Sequence, residues 1–255
     1  MKKQLISFWR GFLSGFCFTV YGLGSLLLSF IIIPVIYGFF FFYDKEKRRV
    51  FYVVIIAFFW RKFIKLMERV GLISLVYNGR NKLEKLSGTI VVANHPSLID
   101  VVILVSSIPK AVCVVKSSIS TKNFFMKRVV NSAYIINNND FDVFSQDIKT
   151  ALDDGFNIVI FPEGSRTIDG EKSKLYKGAA RVALMFNANI LPIHINQSIH
   201  FLRKNQQWYN VGEEIAYYYI TVKETVDIKD YQVEEDTDSK KTKLLMDKIR
   251  KELEL

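Results

Sequence analysis

Two short polar stretches carry the residue types that could do chemistry, and each follows an apolar run. The first is Asn94-His95-Pro96-Ser97-Leu98-Ile99-Asp100. A neutral imidazole is a usable base near neutral pH. A carboxylate on its other ring nitrogen fixes the tautomer and steadies the imidazolium that forms. His95 and Asp100 in that relation would suit removal of a proton from a hydroxyl as its oxygen attacks an acyl carbonyl. Such help contributes about 10²–10⁴ in rate. The spacing has a second reading, because Ser97 with Asp100 three positions on is a capping-box pattern that merely satisfies a helix start. The second stretch is Phe161-Pro162-Glu163-Gly164-Ser165-Arg166-Thr167. Arg166 offers a rigid fork of donors matched to a phosphate, and Gly164 lets backbone amides approach an anion closely. Alone, Pro-Glu-Gly-Ser reads as a plain turn; its pairing with His-x4-Asp carries the argument.

The elements that must position these residues follow from apolar patterning. Ile90, Val91 and Val92 form a β-branched run that reads as a buried strand, and Leu98 to Val105 is long enough for a helix. His95 then sits at a strand's carboxyl end, where open α/β sheets place their ligands. Phe156 to Phe161 is another buried strand, so Glu163 and Arg166 follow a strand end too. Further strands are expected at Ala111–Val115, Ser132–Ile136 and Ala188–Ile195, with a late pair at Trp208–Val211 and Ile215–Val222. Tyr217, Tyr218 and Tyr219 must alternate faces. Helices are expected at Val50–Gly71, Asp142–Asp154, Leu175–Phe186 and Lys240–Leu253, with polar residues 77–87 leading into the first strand. Strands alternating with helices predict an α/β fold, a mixed, largely parallel sheet flanked by helices. Lys116 is a third polar group at a strand end, placed to steady an oxyanion or a donor phosphate, or simply a surface lysine. Phe124, Phe125 and Met126 would line an acyl channel or fill the core. Lys177 and Arg181 share a helix face, open either to an anionic head group or to solvent. His194 reads as a core or rim histidine.

Four blocks in order resemble the lysophospholipid (glycerolipid) acyltransferase family. They are Asn94–Asp100, Phe161–Arg166, Lys177-Gly178-Ala179-Ala180-Arg181 and Leu191-Pro192-Ile193. The resemblance spans roughly residues 50–225. It implies transfer of an acyl group from acyl-CoA or acyl carrier protein to a lipid hydroxyl at a membrane, with no cofactor. It gives His95 the role of base, Asp100 that of orienting group, and Glu163, Gly164 and Arg166 that of acceptor head-group binding. Asn94, Ser165, Lys177 and Lys116 join them as substrate-binding candidates. One departure bears on the acceptor: Asn137 stands where the family pattern has Arg. An Asn supplies neither the charge nor the bidentate fork that a phosphate favours. The segment from Val115-Lys116-Ser117 to Tyr134-Ile135 is similar to acyltransferases found with bacterial aryl polyene synthesis. The acceptor is therefore 1-acyl-glycerol-3-phosphate or a non-phosphate, pigment-type lipid.

Composition narrows the classes. Cys17 and Cys113 make no metal spacing and no disulfide framework, which fits a reducing compartment. His95, His194 and His200 are the only histidines, without His-Glu-x-x-His, so no zinc site is expected. The absence of Gly-x-Ser-x-Gly disfavours a covalent acyl-enzyme, and Gly-rich nucleotide loops are absent too. The net charge is +10, and residues 1–90 hold 14 Lys and Arg against 4 Asp and Glu, while the remainder holds 21 of each. The whole excess sits beside the most apolar part of the chain. That favours an anionic membrane surface over nucleic acid, each juxtamembrane basic residue being worth about 1 kcal/mol.

No charge falls between Arg10 and Asp44. As one straight helix those 33 positions would be about 50 Å long, against a hydrocarbon core of about 30 Å. Breaks are expected at Gly22-Leu23-Gly24 and Pro34, with residues 1–22 in the interface and 23–43 spanning or re-entering. Residues 1–49 thus form a membrane-embedded or re-entrant element with a basic flank. Residues 50–255 form the acyltransferase domain, with its catalytic core at about 85–225 and an amphipathic helix at 240–253. Three positive residues precede the apolar segment and seven follow it, which puts the domain in the cytoplasm at the inner membrane. Val50–Gly71 is amphipathic in its second half and would pack on the sheet or lie on the bilayer. A different class, a catalytically inactive membrane-anchored lipid-binding protein, has no need for a base beside a carboxylate.

Overall fold

The computed structural model describes residues 2–122, 126–137, 140–167, 173–233 and 235–255; Phe124, Phe125 and most of the 168–174 loop lie outside them. The strands are β1 (Ile73–Asn78), β2 (Ile90–Ala93), β3 (Ala111–Lys116), β4 (Ile135–Asn137), β5 (Asn157–Ile160), β6 (Ile190–Gln197) and β7 (Ala216–Val222). Across the sheet they run β1-β7-β6-β2-β5-β3-β4. Every neighbouring pair is parallel except β6 with β7. The helices are α1 (Lys2–Leu27), α2 (Ile33–Phe39), α3 (Lys45–Arg69), α4 (Asp100–Ser107), α5 (Ser117–Lys122), α6 (Lys127–Ala133), α7 (Phe141–Asp153), α8 (Gly178–Phe186) and α9 (Asp238–Glu252).

The central strands carry apolar side chains on both faces because both faces are covered. α3 and α4 pack on one side, α7, α8 and α9 on the other. β2 and β5 are buried at every position. Asn157, 0 % exposed, aligns the amino ends of the strands. It donates to the carbonyls of Leu86 and Pro109 and accepts from the Thr89 amide. Because β2, β5, β3, β4 and β6 all run the same way, their carboxyl ends gather His95, the 161–167 turn, Lys116, Asn137 and Gln197 along one edge.

Three elements differ from sequence expectation. β1 is an additional strand at the sheet edge, paired with β7, a partner over 140 residues away that no local pattern announces. Ser132 and Ala133 end α6 rather than begin a strand, since Tyr134 N–H still bonds Val130 O and the chain turns extended only at Tyr134. Residues 208–211 are not a strand but a loop against α1. Ser14 Oγ donates to Trp208 O at 2.6 Å, and a Cβ at Gly11 or Gly15 would stand 3.0 Å from Tyr209 O or the Trp208 ring.

The apolar N-terminal segment is helical from Lys2 to Phe39. It passes unbroken through Gly22-Leu23-Gly24, where an isolated glycine costs only about 1 kcal/mol. The irregularity comes later, as a π-turn over Leu28–Ile32 in which Ile33 N–H bonds Leu28 O just before Pro34. A wider turn accommodates the proline, which has no N–H to donate. A tight reversal at 40–44 then leads into α3, which packs back on α1 and α2. Tyr21 stacks on Trp60, and Arg128 Nη1 bonds Ser29 O.

Arg10 fastens this element to the domain. Its guanidinium donates to Gly71 O at 2.7 Å, Gly212 O at 3.1 Å and Glu214 O at 2.6 Å. One side chain thus ties the end of α3 to the segment entering β7. Arg10→Ala leaves these carbonyls without a charged donor, and a loss of about 2–4 kcal/mol is expected. The check is thermal unfolding in detergent, where the midpoint should fall by roughly 5–10 °C.

Candidate active site

His95 follows β2 and Asp100 opens α4, so a five-residue turn brings them face to face. His95 Nδ1 lies 2.9 Å from Asp100 Oδ2. Asp100 is 0 % exposed, and its carboxylate also accepts the Ser97 N–H at 2.6 Å and the Ser97 hydroxyl. Both sequence readings of Asp100 therefore describe the same group, which closes the helix-opening turn and orients the imidazole. The His95 ring stacks on Phe161, centroids 4.3 Å apart, which fixes its plane. Nε2 makes no hydrogen bond to the described residues and is the nitrogen left for a substrate proton.

Asn94 is 6 % exposed, and its amide acts as one more rung of the ladder. Nδ2 donates to Ile195 O at 2.8 Å and Oδ1 accepts Ile195 N–H at 2.7 Å. The expectation that Asn94 contacts substrate is at odds with this geometry, since both polar atoms are engaged in holding β2 to β6.

Glu163 also departs from its expected place. It is 8 % exposed and turned inward. Oε1 accepts the His95 backbone N–H at 2.8 Å and the Thr167 hydroxyl at 3.1 Å, while Oε2 accepts Thr167 at 2.9 Å and Ser173 at 2.8 Å. The Thr167 N–H donates back to His95 O at 2.8 Å. The two strand-end loops are thus joined through the backbone of His95 itself. Gly164 takes φ +64, and a Cβ there would stand 3.2 Å from the Tyr176 ring, so the turn both needs positive φ and has no room.

Arg166 reaches the loop after β6, donating from Nη1 to Leu202 O at 3.3 Å and Arg203 O at 3.1 Å. Its Nε and Nη2 have no partner among the described residues, which leaves donors for an anion. Ser165 is exposed on the same turn. Lys116 is exposed at the end of β3, in register with Asn137 of β4. Lys177 is exposed at the start of α8, whereas Arg181 lies 4.8 Å over the Phe141 ring, so the two do not form one basic face. His194 pairs with Glu254 at 3.3 Å, and burial pushes its pKa down. Ser97, Phe161, Thr167 and Ser173 hold the site, although none of them was among the catalytic or substrate-binding candidates. Among the described residues no three His, Cys, Asp or Glu side chains cluster to hold a metal. Glu163→Gln gives the loops one good acceptor in place of two. A stability loss of about 1–3 kcal/mol is expected, with kcat lowered; thermal unfolding and steady-state kinetics check both.

Comparison with known proteins agrees with this arrangement. A family profile described as Acyltransferase matches residues 74–196, which takes in both loops. The 1-acyl-sn-glycerol-3-phosphate acyltransferase of Borreliella burgdorferi is 26 % identical over 199 residues, 76 % of this chain and 77 % of that protein. The crystal structure of the 1-acyl-sn-glycerophosphate (LPA) acyltransferase PlsC from Thermotoga maritima superposes with a TM-score of 0.67. It is 20 % identical, with 100 % of this chain and 98 % of that one covered. Fold, ordered motifs and matched region converge: the chain is an acyltransferase, similar in sequence and fold to lysophospholipid acyltransferases.

Proposed function

We propose that this enzyme moves a fatty acyl group from a thioester donor, acyl-CoA or acyl carrier protein, to the free hydroxyl of 1-acyl-glycerol-3-phosphate. The observation that carries the reading is His95, oriented through Nδ1 by a fully buried carboxylate and open at Nε2 beside the Arg166 turn. Nε2 takes the acceptor's hydroxyl proton while that oxygen attacks the thioester carbonyl carbon. Asp100 stabilises the resulting imidazolium. The tetrahedral intermediate collapses with cleavage of the carbon–sulfur bond, and the imidazolium returns its proton to the departing thiolate. No covalent enzyme intermediate is needed. Arg166 meets the acceptor phosphate, with Lys116 at the neighbouring strand end adding charge where Asn137 offers none. Both relatives compared above bear names that specify this phosphate-bearing acceptor. Asn137 supports a second reading, the same chemistry on an acceptor without phosphate.

The N-terminal element supports membrane association of a re-entrant kind. Lys3–Phe39 is long and apolar enough to cross a bilayer. Leu5, Phe8, Phe12, Phe16, Val20, Leu23 and Leu27, spaced three to four apart, stay exposed along α1, and Phe42 at the reversal is 95 % exposed. Such a stripe suits insertion into one leaflet. Arg10 and α3 both return to the catalytic domain, so a helix pair that dips in and comes back fits better than a span. The domain then faces the compartment of its thioester donor, the cytoplasm, at the inner membrane.

Replacing His95 with Ala is expected to lower kcat by about 10²–10⁴-fold, with donor and acceptor binding preserved. Turnover of acyl-CoA with 1-acyl-glycerol-3-phosphate in mixed micelles measures it; a variant within a factor of a few of the unmodified enzyme would refute the base assignment. A panel of lysolipids with and without phosphate decides the acceptor. Activity confined to those without it would favour the second reading.

A further inference from the structure

Asp100 is not the end of the hydrogen-bonded chain that begins at His95. Tyr218 on β7 donates its hydroxyl to Ser97 Oγ at 3.1 Å, and Ser97 donates in turn to Asp100 Oδ1. Tyr218, Ser97 and Asp100 are each 0 % exposed. Of three consecutive tyrosines only the middle one points inward; Tyr217 and Tyr219 stack on each other outside. A phenylalanine would fill the same space without a buried hydroxyl, which is costly unless hydrogen-bonded. The hydroxyl also meets Phe201 O, at a longer 3.5 Å, and the Gln197 side chain. Burial, and then the negative charge of Asp100, push the Tyr218 pKa far up, so it stays a donor across the working pH range. Because Ser97 Oγ receives that proton, its own proton is directed to Asp100. The order of donation is then single-valued, and each bond polarises the next.

We propose that Ser97 and Tyr218 are positioning residues of the acyl transfer, holding Asp100 from the side opposite His95 and setting how strongly its carboxylate supports the imidazolium. The inference rests on His95 acting as base. Other charged groups facing this corner are Glu163 under the His95 backbone, Arg166 on the Leu202 and Arg203 carbonyls, and Arg203, whose Nε bonds Gln197. None of them touches the Ser97–Asp100 bond.

The sign of the effect follows. Donors on a carboxylate draw off its charge; removing one leaves more charge facing the imidazole and favours its protonated form. The acid limb of kcat/KM should therefore move to higher pH, by about half a unit in Ser97→Ala and less in Tyr218→Phe. Outer partners of this kind typically change activity by about 10–100-fold, and the loss should fall on kcat rather than KM. Since Tyr218 acts only through Ser97, the double variant should match Ser97→Ala alone, and Ser97→Thr, which keeps the hydroxyl, should restore the wild-type limb. The measurements are pH profiles of the full chain in micelles with acyl-CoA and 1-acyl-glycerol-3-phosphate, with ¹⁵N-histidine NMR reading the imidazole directly. Unmoved acid limbs with only a lowered unfolding midpoint, or additive losses in the double variant, would overturn the proposal. An active His95→Ala variant would instead remove the base reading on which it stands, and with it this role.

Discussion

A carboxylate buried between the ends of two adjacent parallel strands holds the site together. Glu163, carried just past β5, accepts the backbone N–H of His95, carried just past β2, and also the hydroxyls of Thr167 and Ser173. A buried carboxylate without such partners would be strongly unfavourable, so the loops have little choice but to converge on it. The parallel pairing of β2 with β5 makes the convergence possible by bringing both strand ends to the same edge. A hairpin would have sent them to opposite edges.

The two acidic residues therefore divide their work. Glu163 acts on the main chain and shapes the turn that presents Arg166. Asp100 acts on a side chain and determines which imidazole nitrogen faces outward. Phe161 stacks on the ring and removes its remaining freedom. Charge at the site is thus fixed in place before any substrate arrives, the arrangement that favours stabilisation of a developing imidazolium over reorganisation during reaction.

Coupling between the apolar N-terminal helix and the edge that carries His95 runs through main-chain carbonyls. Arg10 gathers those of Gly71, Gly212 and Glu214, and Ser14 takes that of Trp208. The 208–214 loop leads into β7, the strand that carries Tyr218 toward Ser97. A helix whose outer face is apolar is in this way keyed to the strand behind the Asp100 carboxylate. The guanidinium suits the task because its planar fork serves several acceptors at once, which an ammonium cannot do with the same geometry.

Much was readable from residue order alone. Apolar runs bounded by polar turns located six of the seven strands to within about three residues, and His-x4-Asp and the Pro-Glu-Gly-Ser-Arg turn fall at adjacent strand ends as their spacing suggested. Those signals are local: strand burial, turn chemistry and the reach of a five-residue loop all act over one or two turns of chain. The roles that sequence could not assign depend on contacts between distant segments. Asn94 reads as a polar loop residue until β6 supplies Ile195 to pair with it, and Glu163 reads as a ligand group until it meets the His95 amide. Tyr218 lies 121 residues beyond Ser97, and the alternation of faces sets it apart from Tyr217 and Tyr219 without naming its partner. Likewise the length of the apolar segment announced that something must bend, but only the docking of Arg10 and α3 on one body showed how the chain returns. Local physics named the elements and the candidate residues; the choice of which polar atoms face each other and which stay open belonged to packing across the sheet.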